Sequence, residues 1–207
     1  MQEIKTMPLI PLRGLTVFPR TILHFDIGRE KSIKALDEAM KGDKLLFLAS
    51  QKDESVLIPT SNDFYMVGTV AKVKQMLKMQ GDSVRVLVDG LYRAKITNIL
   101  YDEPFYSVEV EEALIPMYDM DDIELKALQN VCIGSFATYV ELNREMKAES
   151  KEILSQIDDY DVLCDTMCMQ LDVEIEKKQK VLEAFDIKER LTILNSIIEE
   201  ENQVLEL

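Results

Sequence analysis

The sequence predicts an α+β protein, with a small antiparallel β-barrel and one short helix first, and a helical bundle with a long last helix after it. In the first part, apolar and polar residues alternate over short runs such as TVAKVK from Thr69 and VRVLVDG from Val84. This period of two is typical of half-buried strands. No proline occurs after Pro116, and the apolar spacing there becomes helical. We therefore predict two subdomains, 1–117 and 118–207.

Short strands separated by turn-forming residues make up the first subdomain. Gly81-Asp82 and Asp89-Gly90 each predict a hairpin turn. A single helix, Lys31–Met40, ends just before Gly42. Many short strands with tight turns and one helix indicate a small, partly closed barrel. The predicted strands are Leu9–Leu12, Thr21–Ile27, Leu45–Ala49, Met66–Lys74, Ser83–Val88, Tyr92–Leu100 and Tyr106–Glu111.

The second subdomain is predicted to contain five helices, the first and last of which begin at capping boxes. Asp121 precedes Glu124 by three residues, and Asp186 precedes Glu189 by the same interval. Three shorter helices are predicted between them, at Ser150–Ile157, Tyr160–Leu171 and Val173–Phe185.

An apolar stripe runs along the last helix at spacings of four, three, four and seven residues. Such a stripe is typical of a packed or coiled helix, and we expect it to mediate self-association. No glycine, proline or basic last turn ends this helix, so we expect the chain to be a piece of a longer protein. The stripe consists of Ile187, Leu191, Leu194, Ile198 and Leu205.

The charge of the chain is concentrated in its second half. The 207 residues carry a net charge of −14, with 15 basic and 16 acidic side chains up to Tyr118 and 9 basic and 22 acidic side chains beyond it. Binding of nucleic acid requires a basic stripe, and neither half has one. The sequence has no apolar run of membrane-spanning length, no signal peptide and only three cysteines, so we expect a cytoplasmic protein without membrane association.

Candidate catalytic and metal-binding residues are few. Cys164 and Cys168 are one helical turn apart, but His24 is the only imidazole, so we expect buried thiols and no metal site. The glycines do not form a phosphate-binding loop. The acidic clusters DMDD and DDYD lie where helices begin, so they are interpreted as helix caps and not as calcium ligands. We predict no catalytic, cofactor-binding or metal site in this chain.

Five segments carry a family resemblance, in the same order along the chain. They are PLIPLRGLTVFPRTILHFDIGREKSIKALDEAM from Pro8, LLFLASQKD from Leu45, VGTVAKVKQMLK from Val67, VRVLVDGLYRAKI from Val84 and KQKVLEAFDIKERLTILNSIIEEE from Lys178. Together they cover nearly the whole chain, and they resemble the N-terminal domain of bacterial-type ATP-dependent Lon proteases. The resemblance implies a PUA-like fold of the Lon N-domain type, followed by a helical segment that is cut before the ATPase module.

The resemblance also implies substrate recognition and support of a homohexamer. The intact family members are AAA+ serine endopeptidases that degrade misfolded and regulatory proteins in quality control and the stress response. Their ATPase module, which uses ATP and Mg²⁺, and their serine–lysine proteolytic module lie downstream and match nothing here, so this fragment is expected to be non-catalytic. The implied partners are unfolded polypeptides and further copies of the chain, as a hexamer when intact or a dimer as a fragment.

A site for unfolded polypeptide should be exposed, apolar and adaptable. Two segments meet this description: LTVFPRTI, with Phe18 and Pro19, and the hairpin KQMLKMQGD, with Met76, Leu77 and Met79. Packing in the barrel core is the competing expectation. Core packing is favoured for Leu77 and for Ile22 of the first segment. It is left open for Phe18, Met76 and Met79.

Two other functions compete with this interpretation. A stand-alone adaptor with the same barrel would bind proteins without feeding an attached ATPase, and the two differ only in the sequence downstream of Leu207. A small hydrolase using His24 or Cys164 would show turnover that is lost on His24→Ala.

Overall fold

The computed structural model, which describes residues 2–146 and 149–207, confirms the predicted α+β class and the long last helix. The chain divides into two units, Met1–Ala113 and Leu114–Leu207, with a boundary four residues before the predicted one. The first unit contains β1 (Ile4–Leu12), β2 (Ile22–Ile27), α1 (Glu30–Lys41), β3 (Leu45–Ser50), β4 (Val67–Lys78), β5 (Val84–Tyr101) and β6 (Tyr106–Glu112). The second contains α2 (Ile123–Leu142), α3 (Glu149–Leu154), α4 (Tyr160–Met169), α5 (Ile175–Glu183) and α6 (Ile187–Glu206).

The six strands form one sheet in the order β2-β5-β4-β3-β1-β6, and β6 also pairs with β5. Five strands therefore close into a ring, and β2 is attached outside it. Most pairs are antiparallel as predicted, but β1 and β3 are parallel. A parallel pair needs a crossover connection, and the segment containing β2 and α1 supplies it.

The predicted turn at Asp89-Gly90 is wrong, because Gly90 lies inside the continuous strand β5. The backbone of Phe18 passes so close that a Cβ atom on Gly90 would lie 2.5 Å from the Phe18 carbonyl oxygen. Arg20 N–H donates to the Gly90 carbonyl at 2.7 Å, and Gly90 N–H donates to the Thr21 carbonyl at 2.8 Å. Glycine is present here because another backbone approaches closely, which is a second common reason for a glycine within a strand.

The other predicted hairpin turn is confirmed. Gly81 has a φ of +79°, a backbone conformation that glycine adopts without strain. Met79 N–H donates to the Ser83 carbonyl at 2.9 Å and closes the hairpin between β4 and β5.

The core of the first unit has two parts, one between α1 and the sheet and one inside the strand ring. In the first, Ala35, Leu36 and Ala39 of α1 pack against buried strand residues such as Val86 and Val88. The members of the second are Met7, Leu9, Phe47, Ala49, Phe64, Val70, Ala94, Ile96, Tyr106, Val108 and Val110. The start of α1 is tied to the end of β1, because the Arg29 guanidinium donates to the Pro11 carbonyl at 2.6 Å and to Gln51 Oε1.

Helix α6 packs against α2, α4 and α5 in the second unit. Four members of its apolar stripe, Ile187, Leu191, Leu194 and Ile198, are buried there. The stripe therefore forms the core of the unit itself, and these four side chains are not exposed for the predicted contact between copies. Leu205 is 40% exposed, and its role in self-association stays a prediction.

One of the two predicted helix starts is shifted by a residue. The α6 start is confirmed, since the Asp186 carboxylate accepts a hydrogen bond from Glu189 N–H at 3.0 Å. At α2 the cap is Asp122 and not Asp121, because the Asp122 carboxylate accepts from the N–H groups of Glu124 and Leu125 at 2.9 and 3.3 Å. Neighbouring aspartates make such a shift hard to predict. None of the described helices is both long and apolar enough to cross a membrane.

Candidate functional site

The two candidate residues for a hydrolase, His24 and Cys164, lie in different units. Cys164 is fully buried, and burial raises the pKa of its thiol well above its usual value. Burial likewise raises the pKa of Cys132 to about 12. A protonated, buried thiol is not a nucleophile. His24 lies exposed on β2. Across residues 2–146 and 149–207, no group of three or more His, Cys, Asp and Glu side chains is placed to hold a metal ion.

The most distinctive surface of the first unit is an apolar diagonal across β2, β5 and β4. On the solvent side of these strands, His24 lies opposite Leu87, and Leu87 lies opposite Gln75. Ile22, two residues before His24 on β2, and Leu77, two residues after Gln75 on β4, share this side and are 67% and 59% exposed. Leu87 is half-buried between them. We call these five residues the outer strand face.

An ion pair lies beside this apolar diagonal. Arg85 Nε donates to Asp26 Oδ1 at 2.9 Å, and Arg85 Nη2 donates to Asp26 Oδ2 at 3.2 Å. The hydrogen bond from Arg85 holds the pKa of Asp26 below its usual value, and the same bond raises the pKa of Arg85. Because the two charges neutralise each other, this part of the surface does not select ligands of one charge.

Strand alternation separates the hairpin candidates into inward and outward side chains. Met76 lies opposite the buried Val86, is half-buried and packs against the core under α1. Leu77 lies opposite Arg85 and faces solvent. Met79 is half-buried at the turn. The expectation of core packing for Leu77 is therefore wrong, because the adjacent methionine occupies the inward position.

The loop candidates are less exposed than their sequence suggests. Phe18 is fully buried, so the expectation that its side chain is exposed for contact with a substrate is wrong. The Arg93 guanidinium lies 5.9 Å from the centroid of the Phe18 ring, and the Phe18 backbone lies close to Gly90. Pro19 is half-buried. Ile22, for which core packing was favoured, is instead exposed on the outer strand face.

Sequence reasoning missed a second apolar surface, in the loop between β3 and β4. Leu57 and Ile58 are exposed there, beside a groove of about 360 Å³ that Leu9 and Tyr106 also line. The Tyr106 hydroxyl donates to the Pro59 carbonyl at 2.7 Å and fixes one wall of the groove. Burial raises the pKa of Tyr106. The sequence signal for this surface was the apolar pair Leu57-Ile58 between turn-forming residues. A loop has no periodicity from which the exposure of such a pair can be predicted.

Comparisons with known proteins show the family of this chain. The model of the substrate-binding domain of ATP-dependent protease La (LON) matches residues 6–200. The chain belongs to this Lon substrate-binding domain family. It is 41% identical over 204 residues to the Lon protease of Clostridioides difficile strain 630, and 38% identical over 207 residues to Lon protease 1 of Bacillus subtilis strain 168. These alignments cover 97% and 100% of this chain and 26% of each relative, so the chain spans about a quarter of the length of these Lon proteases.

Solved Lon domains share the fold. The N-terminal domain of the Mycobacterium avium complex Lon protease superposes with a TM-score of 0.75 at 21% identity, covering 95% of this chain and 99% of that one. A Lon N-terminal domain protein from Xanthomonas campestris superposes with a TM-score of 0.66 at 12% identity, covering 93% and 98%. The Lon N-domain type of fold predicted for this chain is thereby confirmed.

Proposed function

We propose that this chain is the N-terminal substrate-recognition part of a Lon-type ATP-dependent serine endopeptidase and that it binds unfolded polypeptide on the outer strand face. The observation that supports this site is the exposure of Ile22 and Leu77 on either side of Leu87. Exposed apolar side chains that form a continuous surface commonly mark interaction sites. Membership of a substrate-binding domain family favours polypeptide as the ligand.

Serine substitutions on this face test the proposal. Full burial of a leucine or isoleucine side chain contributes about 1.5–3 kcal/mol, and about two thirds of each side chain is exposed here. Ile22→Ser and Leu77→Ser should therefore each weaken binding by about 1–2 kcal/mol, or about tenfold. Binding is measured by fluorescence anisotropy with labelled α-lactalbumin that has been reduced and carboxymethylated, so that it stays unfolded.

A matched control is available in the second unit. Ile123 is exposed at the start of α2, so Ile123→Ser removes a comparable apolar side chain elsewhere and should leave the affinity unchanged. Equal affinity of all three variants and the unsubstituted chain, with unchanged circular dichroism, would remove the outer strand face from consideration.

The activity of the longer protein is also part of this proposal. In the longer protein, an ATPase module that uses ATP and Mg²⁺ and a proteolytic module would follow this chain. The present chain would support a homohexamer that degrades misfolded and regulatory proteins in the cytoplasm. We expect the natural gene to continue beyond the codon for Leu207 into both modules. A stop codon there would instead favour the stand-alone adaptor.

A further inference from the structure

The outer edge of β2 carries backbone groups that no strand in the described part of the chain pairs with. β2 is the first strand in the sheet order, and its one strand partner among the described residues is β5. Gly90 N–H donates to the Thr21 carbonyl, so in this antiparallel register the residues that bond to β5 are every second one from Thr21, namely Leu23, Phe25 and Ile27. The backbone groups of Ile22, His24 and Asp26 therefore point away from β5.

The opposite side of β5 gives the same assignment independently. Met79 N–H donates to the Ser83 carbonyl, which makes Arg85 and Leu87 the β5 residues that bond to β4. The alternate residues of β5, Val84 and Val86, then bond to β2. Both ladders thus leave the N–H and C=O groups of Ile22, His24 and Asp26 directed to the open edge.

A groove adjoins the C-terminal half of this edge. Its volume is about 570 Å³, and Phe25 and Asp26 of β2 line it on one side. Leu12, Arg13 and Leu15, from the end of β1 and the segment after it, line it on another. The groove therefore offers both apolar and charged side chains next to an unpaired row of backbone donors and acceptors.

The edge chemistry selects one class of partner. Donors and acceptors that alternate at the spacing of a strand are complementary to the main chain of an extended polypeptide, which is the basis of strand addition. Proteins commonly block unwanted strand addition with lysine or proline on the edge. The part of β4 beyond its pairing with β3 carries Lys74 and Lys78, whereas β2 carries neither lysine nor proline.

We propose that an extended segment of an unfolded polypeptide adds to β2 as a further strand and bonds to the main chain of Ile22, His24 and Asp26. This inference rests on the proposed function and specifies how the same region takes its substrate. Every residue except proline supplies both a main-chain donor and a main-chain acceptor, so this mode binds polypeptides of unrelated sequence. The exposed Ile22 side chain adds apolar contact without requiring a motif.

Amide hydrogen exchange measured by NMR tests the mode directly. The probe is a synthetic peptide of about eight residues with alternating valine and threonine, about the length of a strand. Binding should slow exchange at Ile22, His24 and Asp26 by at least about tenfold. The amides of Leu23 and Phe25, which already bond to β5, should change much less.

Peptides that are N-methylated at every second amide or at every amide supply a matched control. A strand added at an edge uses the N–H groups of one side only, so a peptide methylated at every second amide keeps one free edge and should bind within about twofold of the unmodified peptide. Methylation of every amide blocks both edges and should weaken binding at least about tenfold, since two or more hydrogen bonds are lost. Adsorption through side chains alone predicts equal affinities for the two methylated peptides.

The outcomes separate this inference from the proposed function. If the peptide binds, loses affinity with Leu77→Ser and keeps its affinity when every amide is methylated, the apolar face stands and strand addition is overturned. If two copies of the chain instead pair through β2, the amides of Ile22, His24 and Asp26 will exchange slowly without peptide, and more slowly as the protein concentration rises. That result also overturns strand addition. If the peptide does not bind, both proposals fail.

Discussion

Replacement of Arg190 by alanine should cost the second unit a large part of its stability. The Arg190 side chain is fully buried. Its Nη1 atom lies 2.6 Å from Asp161 Oδ1 and 3.8 Å from Asp165 Oδ1. Its Nε and Nη2 atoms donate to the carbonyls of Ala184 and Phe185 at 2.7 and 3.1 Å. One guanidinium therefore joins the start of α6 to α4 and to the turn after α5.

The magnitude depends on the charges that the substitution leaves behind. Removing one partner of a buried ion pair typically costs about 3–5 kcal/mol, because the remaining charge has lost its compensation. Asp165 is almost entirely buried, so bulk water has little access to its carboxylate when the arginine is removed. We expect Arg190→Ala to lower the free energy of unfolding of this unit by about 4 kcal/mol, out of the roughly 5–15 kcal/mol that is typical of a domain.

Urea unfolding followed by far-ultraviolet circular dichroism measures the effect. Lys180→Ala is the matched control, since it removes an exposed positive charge from α5 and should change stability by less than about 0.5 kcal/mol. Adding Asp161→Asn and Asp165→Asn to Arg190→Ala should recover part of the loss, because the negative charges that faced the guanidinium are then absent. A loss below about 1 kcal/mol for Arg190→Ala would refute this account of the buried network.

Three further predictions concern particular residues. Gly90→Ala should destabilise the chain by about 1–3 kcal/mol in urea, because its Cβ would meet the backbone 2.5 Å away; Gly134→Ala, in open space within α2, should be neutral or stabilising. The buried Cys132 should resist iodoacetamide at about pH 8 until urea is added. Its raised pKa also means that stability falls between pH 9, the usual thiol value, and about pH 12, where the folded state holds a proton that the unfolded state has lost. Asp122→Ala should lower the melting temperature and Asp121→Ala should not. The hydrogen bond from Lys188, and then those from the Leu125 and Glu124 N–H groups, lower the pKa of Asp122 in the folded state. The difference in melting temperature should therefore be present above about pH 4 and disappear as the pH falls through that lowered value.

Local pattern in the sequence predicted where strands and helices lie, but not which residues they leave exposed. The alternation of KQMLK shows that Met76 and Leu77 face opposite sides, yet the pattern alone does not say which side is the core. The register between β4 and β5 decides it, by placing Met76 opposite the buried Val86. The exposure of Phe18 was left open for a related reason, since its ring packs beside Arg93, which is distant in sequence.

The helical half shows the same limit. The apolar stripe of α6 was predicted correctly as a stripe, but periodicity does not distinguish packing within a chain from packing between chains. Tertiary contacts bury Leu191 and Leu194 against helices of the same unit. Arg190 illustrates the opposite case, because a charged residue next to the stripe gives no sequence signal that it is fully buried.

Strand β5 links the architecture of the first unit to its proposed function. One side of β5 pairs with β4 along most of its length, whereas the other pairs first with β2 over 84–89 and then with β6 over 94–101. The exchange of partners is what closes the ring at one end and leaves β2 as an edge at the other. It occurs next to Gly90, where the incoming chain at Phe18 approaches too closely for a side chain. The tight backbone contact that buries Phe18 therefore positions the open edge of β2. The segment around Phe18 and Pro19 thus shapes the proposed site through its main chain, and the proposed recognition by main-chain bonds does not depend on the side chains of the ligand.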